Sequence, residues 1–160
     1  MNKIALVLAW TACSTSVVLG QTALRSGPAR AHLLELYSSE GCSSCPPGAE
    51  GTVGVLEAVE KDGVVTARFT PTVDAGSYDV YAVRLGFDLM TEVADGENSG
   101  RRLKHDFIAT SLDSKRMRRE GRGWTAQVRL GAPSVRGKDD GLAVWVVGPD
   151  GRPVQAVGGR

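Results

Sequence analysis

The chain has 160 residues, of which 42% are hydrophobic, so it can bury one ordinary globular core with a small appendage. Its 19 lysines and arginines nearly balance its 18 aspartates and glutamates, and the net charge of +1 gives no overall attraction to nucleic acid or to an anionic membrane. Aromatic residues make up only 6%, too few for a platform that stacks bases. We therefore expect a folded protein with no nucleic-acid partner.

The first 20 residues have the pattern of a signal peptide. Met1-Asn2-Lys3 forms a short positive region, residues 4–10 are apolar, and Val18-Leu19-Gly20 offers a cleavage site before Gln21. This pattern predicts an exported protein, periplasmic or extracellular. Small residues also precede Cys13, so a lipoprotein signal that is cut before Cys13 is an alternative. No later segment approaches the roughly 20 apolar residues that a membrane span needs, and we expect no transmembrane span.

Residues 21–31 contain Gly27, Pro28 and two arginines without an apolar period, which predicts a linker. Residues 32–51 follow with an apolar run, Leu33–Tyr37, that predicts a short buried strand ending in a turn. Directly after the turn come Cys42 and Cys45, spaced as CxxC.

The CxxC spacing is typical of a thioredoxin-type redox site. A thiol at the start of a helix is favoured as thiolate by the helix dipole and by unpaired N–H groups, so Cys42 is expected to attack a partner and Cys45 to resolve the mixed disulfide. The alternative is a structural disulfide that ties down an exposed loop. A zinc site would need two further ligands, and His32 and His105 are the only histidines, so we expect no metal and no cofactor.

The rest of the chain, residues 52–160, alternates apolar and polar residues with the period of half-buried strands. The turn dipeptide Asp62-Gly63 and similar signals at 95–96, 121–123, 140–141 and 150–151 separate these runs. The predicted fold is mainly β, an antiparallel β-sandwich of about seven strands behind a short N-terminal thioredoxin-like remnant. The apolar positions that we expect to be buried are Val65, Ala67 and Phe69; Tyr81, Val83, Leu85, Phe87 and Leu89; Trp124, Ala126, Val128 and Leu130; and the continuous run Leu142–Val147, which is expected of a central strand covered on both sides.

One polar cluster in this region is a candidate binding or acid–base site. Glu97 and Asn98 lie in a loop flanked by glycines, Arg101 follows, and His105 is expected on a strand. These four residues would supply an acid, a base and an anion contact. In the structural alternative the glycines only let the loop turn, Asn98 bonds to the backbone, and His105 shares a strand face with Leu103 and Phe107.

A second polar feature is the basic run Lys115-Arg116-Met117-Arg118-Arg119, with Arg122 beyond it. It offers contacts to an anionic partner, although a charged hairpin of this kind also serves simply as solvated surface.

Three stretches resemble one protein family. The segment LLELYSSEGCSSCPP resembles the opening of domain-of-unknown-function family 1223, exported bacterial proteins that pair a thioredoxin-like domain with a C-terminal β-sandwich. GENSGRRLKH is similar to that family's GENxGR…LxH motif, and VVGPDGRPVQAVGG to its closing hairpin. The resemblance implies thiol–disulfide exchange through Cys42 and Cys45 with a thiol or disulfide partner protein in the cell envelope.

The chain also departs from that family, whose members carry a full thioredoxin body after CSSCPP. Here the hairpin signal Asp62-Gly63 follows Cys45 closely, and most of that body is missing. The sequence thus leaves three hypotheses. The chain is a thiol–disulfide exchange protein, a non-catalytic β-sandwich module that binds a protein or glycan, or an inactive, internally deleted family member.

Overall fold

The computed structural model describes residues 21–30 and 51–160, and every regular element in these two ranges is a β-strand. The predicted signal peptide and the CxxC motif lie outside them. All strand pairs are antiparallel, so the prediction of a mainly β fold is confirmed. The strands are β1 (Gln21–Arg25), β2 (Gly54–Lys61), β3 (Val64–Pro71), β4 (Asp79–Phe87), β5 (Leu89–Glu92), β6 (Arg102–His105), β7 (Ile108–Arg116), β8 (Arg118–Glu120), β9 (Gly123–Arg129), β10 (Asp139–Val147) and β11 (Pro153–Gly159).

Two sheets form a sandwich. The five-stranded sheet has the order β1-β2-β3-β9-β8, and the four-stranded sheet has the order β11-β10-β4-β7. Their facing side chains make one continuous core, because alternate residues of each strand point to the same face. The core includes Leu56, Ala58, Val65, Ala67, Phe69, Val80, Ala82, Val128, Val144 and Val146, all with no more than 1% of their surface exposed.

The strand count and the predicted linker differ from the structure. Residues 21–31 were expected to be a linker, yet Gln21–Arg25 forms β1 because it pairs along its whole length with β2. Ten strands, rather than about seven, lie between residues 54 and 159. The additional ones include β5, β6 and β8, which are three or four residues long and mostly polar, so that hydrophobic alternation does not mark them.

Strand β4 turns the opposite face to the core from the one that its larger apolar residues predict. Val80 and Ala82 face the other sheet, while Tyr81 and Val83 lie on the outside of the four-stranded sheet. There they pack with Trp145 of β10 in a second, smaller cluster, and the Tyr81 and Trp145 rings stack with centroids 5.3 Å apart. Val83 and Phe87 are nevertheless buried as predicted, at 6% and 2% exposure.

Strand β10 is central in its sheet, as the apolar run Leu142–Val147 predicted. Its inward residues belong to the main core, and on its outer side Trp145 is only 8% exposed. In the described part of the chain this outer cover comes from neighbouring side chains of the same sheet, not from another layer.

The chain crosses from one sheet to the other at Met117. Strand β7 is the edge of the four-stranded sheet and β8 is the edge of the five-stranded sheet, with Met117 alone between them. Met117 is 3% exposed, and its backbone N–H donates to the carbonyl of Tyr78 at 2.9 Å. The crossing therefore anchors the middle of the basic run in the core and divides its charged residues between two sheets.

Gln155 holds the N-terminal arm, residues 26–30, against β11. Its side chain is fully buried, and Nε2 lies 3.1 Å from the Gly27 carbonyl oxygen, 2.9 Å from that of Ala29 and 2.8 Å from that of Gly54. The Arg30 N–H donates to the Gly51 carbonyl at 3.0 Å, so the described chain leaves and re-enters the sandwich at one place.

Candidate functional site

The predicted Glu97–His105 cluster lies in the two-stranded sheet formed by β5 and β6. Glu97 and Asn98 are exposed in the connecting loop, Arg101 is exposed at its end, and half-buried His105 ends β6 opposite Leu89. Among the residues that the structure describes, no hydrogen bond or ion pair joins the side chains of these four residues to one another. Their predicted role in binding therefore remains a prediction, and an acid–base pair gains no support.

Backbone contacts shape this loop. The Val93 N–H donates to the Arg101 carbonyl, the Gly100 N–H to the Val93 carbonyl, and the Arg101 N–H to the Asn98 carbonyl, at 2.8–3.0 Å. Gly96 and Gly100 have φ angles of 90° and 78°, which glycine adopts without steric cost.

Strand β6 ends earlier than the structural alternative for His105 assumed. Phe107 lies beyond the strand with a φ of 60°, and 68% of it is exposed, so it does not share a strand face with His105. Its ring packs edge-on against Phe87 at a centroid distance of 4.8 Å.

The basic run is divided among several environments. Arg116 Nε lies 2.6 Å from Asp79 Oδ1, and Arg119 Nη1 lies 2.5 Å from Asp74 Oδ2. In the described residues Lys115 has no ion-pair partner. The paired arginines are thus neutralised by acids of their own fold, and Lys115 is not.

Asp74 organises the end of the sandwich beside this run. Its carboxylate accepts hydrogen bonds from the Gly76 N–H at 2.9 Å and from Trp124 Nε1 at 3.2 Å, in addition to the Arg119 contact. The Gly76 hydrogen bond, with those from Arg119 and Trp124, lowers the pKa of Asp74 below its ordinary value of 3.8. Trp124 in turn packs edge-on against Tyr78, so the acid holds a core aromatic as well as a surface arginine.

Lys104 and Asp88 form another ion pair, and the pKa of each group is shifted. A hydrogen bond from Lys104 lowers the pKa of the half-buried Asp88 carboxyl, and the same hydrogen bond raises the pKa of Lys104. Asp106 Oδ1 accepts a hydrogen bond from the Asp88 N–H at 2.9 Å, and these contacts connect β6 to the end of β4. It offers no free acid or base to a substrate.

A row of polar side chains crosses the outer face of the five-stranded sheet. Strand register places Arg25 opposite Glu57, Glu57 opposite Arg68, Arg68 opposite Thr125, and Thr125 opposite Arg118. Directly opposed residues in antiparallel strands point to the same face, and the flanking positions, such as Ala67 and Phe69, fill the core. We call this set the arginine row.

The charges of the arginine row are only partly compensated. Arg25 pairs with Glu57, and Arg118 Nη2 lies 3.8 Å from Glu120 Oε1 in a contact that both partners make from exposed positions. Arg68 forms no ion pair within the part of the chain that the structure describes. Positive charge is therefore in excess at the Arg68–Arg118 end of the row.

A groove of about 430 Å³ lies over this end. Its charged and polar lining includes Arg68, Lys115, Arg116, Arg118, Glu120 and Thr125. Four cations face one lining carboxylate, on a protein whose net charge is only +1. Because Arg116 is paired with Asp79 and Arg118 lies near Glu120, the cations of the groove without an acidic partner among the described residues are Arg68 and Lys115.

A second groove, of about 400 Å³, lies at the far end of the four-stranded sheet, beside Phe87 and Phe107. The Arg160 guanidinium already covers the Phe87 ring, with its carbon 3.7 Å from the ring centroid, and it lies 3.9 Å from the Asp139 carboxylate. This groove is apolar and its one cation is engaged, so the basic groove is the better candidate site.

Sequence patterns pointed to part of the basic groove. The run 115–119 was recognisable from its charge, but Arg68 counted only as one of the polar residues that alternate with Val65, Ala67 and Phe69. What brings it beside Arg118 is the pairing of β3 with β9 and of β9 with β8, which connects residues 50 positions apart. A basic residue on the solvent face of a central strand was the only signal in the sequence.

Comparison of the chain with known protein families, curated proteins and solved structures finds no match. Among the described residues there is no helix that is long and apolar enough to cross a membrane. No group of three or more histidine, cysteine, aspartate or glutamate side chains suited to hold a metal ion occurs in residues 21–30 and 51–160.

Proposed function

We propose that this chain is a non-catalytic β-sandwich binding module whose ligands are anionic. The observation that carries the proposal is the basic groove on the outer face of the five-stranded sheet, where Arg68 and Lys115 have no acidic partner among the described residues. Unneutralised cations in a concave surface attract anions and accelerate their association.

The rigid position of the groove supports the proposal. Its floor belongs to β3 and β9, which pair with each other at the centre of the five-stranded sheet. Thr125 is 5% exposed, and its hydroxyl donates to the Ala67 carbonyl at 3.1 Å. The backbone positions of the groove residues on such a floor are fixed, so only their side chains have to be ordered when a ligand binds.

The test is binding of the mature chain to a sulfated dextran, followed by fluorescence anisotropy at several salt concentrations. We expect an affinity that falls steeply with salt, and a loss of affinity in Arg68→Glu and Lys115→Glu. Arg129→Glu is the matched control, because Arg129 is also exposed on the five-stranded sheet but does not line the groove. An affinity that all three substitutions reduce equally, or no binding at low salt, would rule out the groove as the site.

Thiol–disulfide exchange through Cys42 and Cys45 is the second candidate. The observation that favours it is that Arg30 and Gly51 are hydrogen-bonded and Ala29 bridges to Thr52, so the segment with both cysteines begins and ends at one place on the sandwich. This candidate is the function that the resemblance to domain-of-unknown-function family 1223 implies.

A redox titration in glutathione buffers separates the two candidates. A midpoint between about −120 and −270 mV would place the cysteine pair among exchange catalysts, and one below about −300 mV would make it a structural disulfide. Replacing both cysteines with serine should leave anion binding unchanged if the sandwich alone is the binding module. Loss of anion binding in that variant would contradict the proposal.

A further inference from the structure

The arginine row has a geometry that selects among anions. Arg68 and Arg118 are both register partners of Thr125, on its two sides. Adjacent strands lie about 4.8 Å apart, so the two arginine Cα atoms are separated by roughly 10 Å. Two arginine side chains that lean toward each other from this separation leave room for one small anion between their guanidinium groups.

Among the described residues that line the groove, Glu120 is the carboxylate that a ligand has to displace, from an exposed contact 3.8 Å from Arg118 Nη2. Glu57, the next residue of the row, is already engaged by Arg25. The Thr125 hydroxyl donates its hydrogen to the Ala67 carbonyl, so Thr125 has no hydroxyl hydrogen left to donate to the ligand. Gln127, one step along β9, directs its amide to the Thr66 hydroxyl at 3.5 Å. The cationic donors in the groove lining are guanidinium N–H groups and the Lys115 ammonium.

We infer that Arg68 and Arg118 together bind one tetrahedral oxyanion, the terminal group of a sulfate or phosphate monoester. This inference rests on the proposed function and names the ligand chemistry of the same groove. A guanidinium binds an oxyanion best through two parallel N–H···O bonds, and two guanidiniums on opposite sides need three or four acceptor oxygens. A phosphate monoester carries three terminal oxygens and close to two charges at neutral pH, whereas a carboxylate offers two oxygens and one charge.

The test is a titration of the isotopically labelled full chain with inorganic phosphate and, separately, with inorganic sulfate, in Tris chloride buffer. Amide chemical shifts report both affinity and location. We expect saturable shifts centred on Thr125 and its two register partners, with the separate titrations showing which oxyanion binds more tightly. Sodium acetate, a planar monoanion, should give no saturable shifts there.

Single substitutions measure how much each arginine contributes to the affinity for the oxyanion. Arg68→Gln and Arg118→Gln should each weaken oxyanion binding about tenfold, since each removes a charge-assisted pair of hydrogen bonds. Arg68→Lys keeps the positive charge but cannot form two parallel N–H···O bonds, so it should also weaken binding, by a smaller factor. Arg129→Gln is the control and should leave the affinity unchanged. All three positions are exposed, and an unchanged unfolding midpoint verifies that each of the four variants folds.

The inference would be overturned if acetate bound as tightly as phosphate and sulfate, if Arg129→Gln cost as much as Arg68→Gln, or if neither oxyanion saturated the shifts. In each of these cases the sulfated dextran experiment still decides the proposed function. If dextran binding depends on Arg68 and Lys115 but no oxyanion site saturates, the chain is an anion-binding module that responds to the overall charge of its ligand. Absence of both would remove the proposed function as well.

Discussion

Replacing Gln155 with methionine tests whether one buried amide holds the N-terminal arm to the sandwich. Methionine preserves the length and approximate volume of the side chain and removes its hydrogen bonds. The amide Nε2 reaches the carbonyl oxygens of Gly27, Ala29 and Gly54, and its Oε1 accepts from the Ala156 N–H at 3.1 Å. An amide carries two hydrogens, so two of the three carbonyls are bonded strongly at any moment.

The expected loss of unfolding free energy follows from these contacts. The Gly54 bond is buried, and the carbonyl that loses it stays out of water. A buried acceptor left without a donor costs about 1–3 kcal/mol, and each partly buried bond adds about 1 kcal/mol. We expect Gln155→Met to lower the free energy of unfolding by about 2–4 kcal/mol, with most of the loss from the Gly54 and Ala29 contacts.

The assay is urea unfolding followed by tryptophan fluorescence, with Gln127→Met as the matched control. Gln127 is exposed on β9 and makes one long side-chain contact at 3.5 Å, so its replacement should change the unfolding free energy by less than about 0.5 kcal/mol. A loss in Gln155→Met no greater than in the control would refute the reasoning. A smaller m-value would instead mean that the arm has detached in the native state. Faster amide exchange at Val53, whose N–H donates to the Pro28 carbonyl of the arm at 3.0 Å, would confirm this.

Two further predictions concern the ends of the sandwich. Because hydrogen bonding from the Gly76 N–H lowers the pKa of Asp74, the stability contributed by its ionised form is present above pH 3.8 and is lost as the pH falls through the lower folded-state value. The difference in melting temperature between the wild type and Asp74→Asn should therefore shrink below about pH 4, and a difference that is constant with pH would contradict this. Gly137→Ala should cost about 1–3 kcal/mol of unfolding free energy in a urea titration, because its methyl group would overlap the Phe87 carbonyl oxygen. Gly131→Ala, whose methyl group would lie 3.8 Å from its nearest neighbour, should be nearly neutral, and equal effects would refute the packing argument.

The strands that alternation predicts are those with one apolar face in the sandwich core. Val65, Ala67 and Phe69 are fully buried on β3, and Trp124 and Val128 are buried on β9, as predicted. The pattern fails where both faces are apolar. On β4 the sandwich interior accepts Val80 and Ala82, and Tyr81 lies on the other face, where its ring stacks on Trp145.

Short strands and long-range register are the parts that local sequence does not determine. β1 is a polar five-residue segment that becomes a strand only because β2 offers it an edge. The candidate site depends on the same kind of information. The charge of Lys115 and Arg118 is visible in the sequence, but their proximity to Arg68 arises from two successive strand pairings and from the crossing at Met117.

The crossing at Met117 has a consequence for solubility. It places the basic run on the two strands, β7 and β8, that end their sheets on the same side of the sandwich. An unpaired sheet edge is a template for pairing with a second molecule, and charged side chains on edge strands are a common means of preventing this. Lys115 and Arg118 therefore lie where positive charge opposes edge-to-edge pairing with a second chain. Variants that remove several of these charges together should precipitate at concentrations where single variants stay in solution.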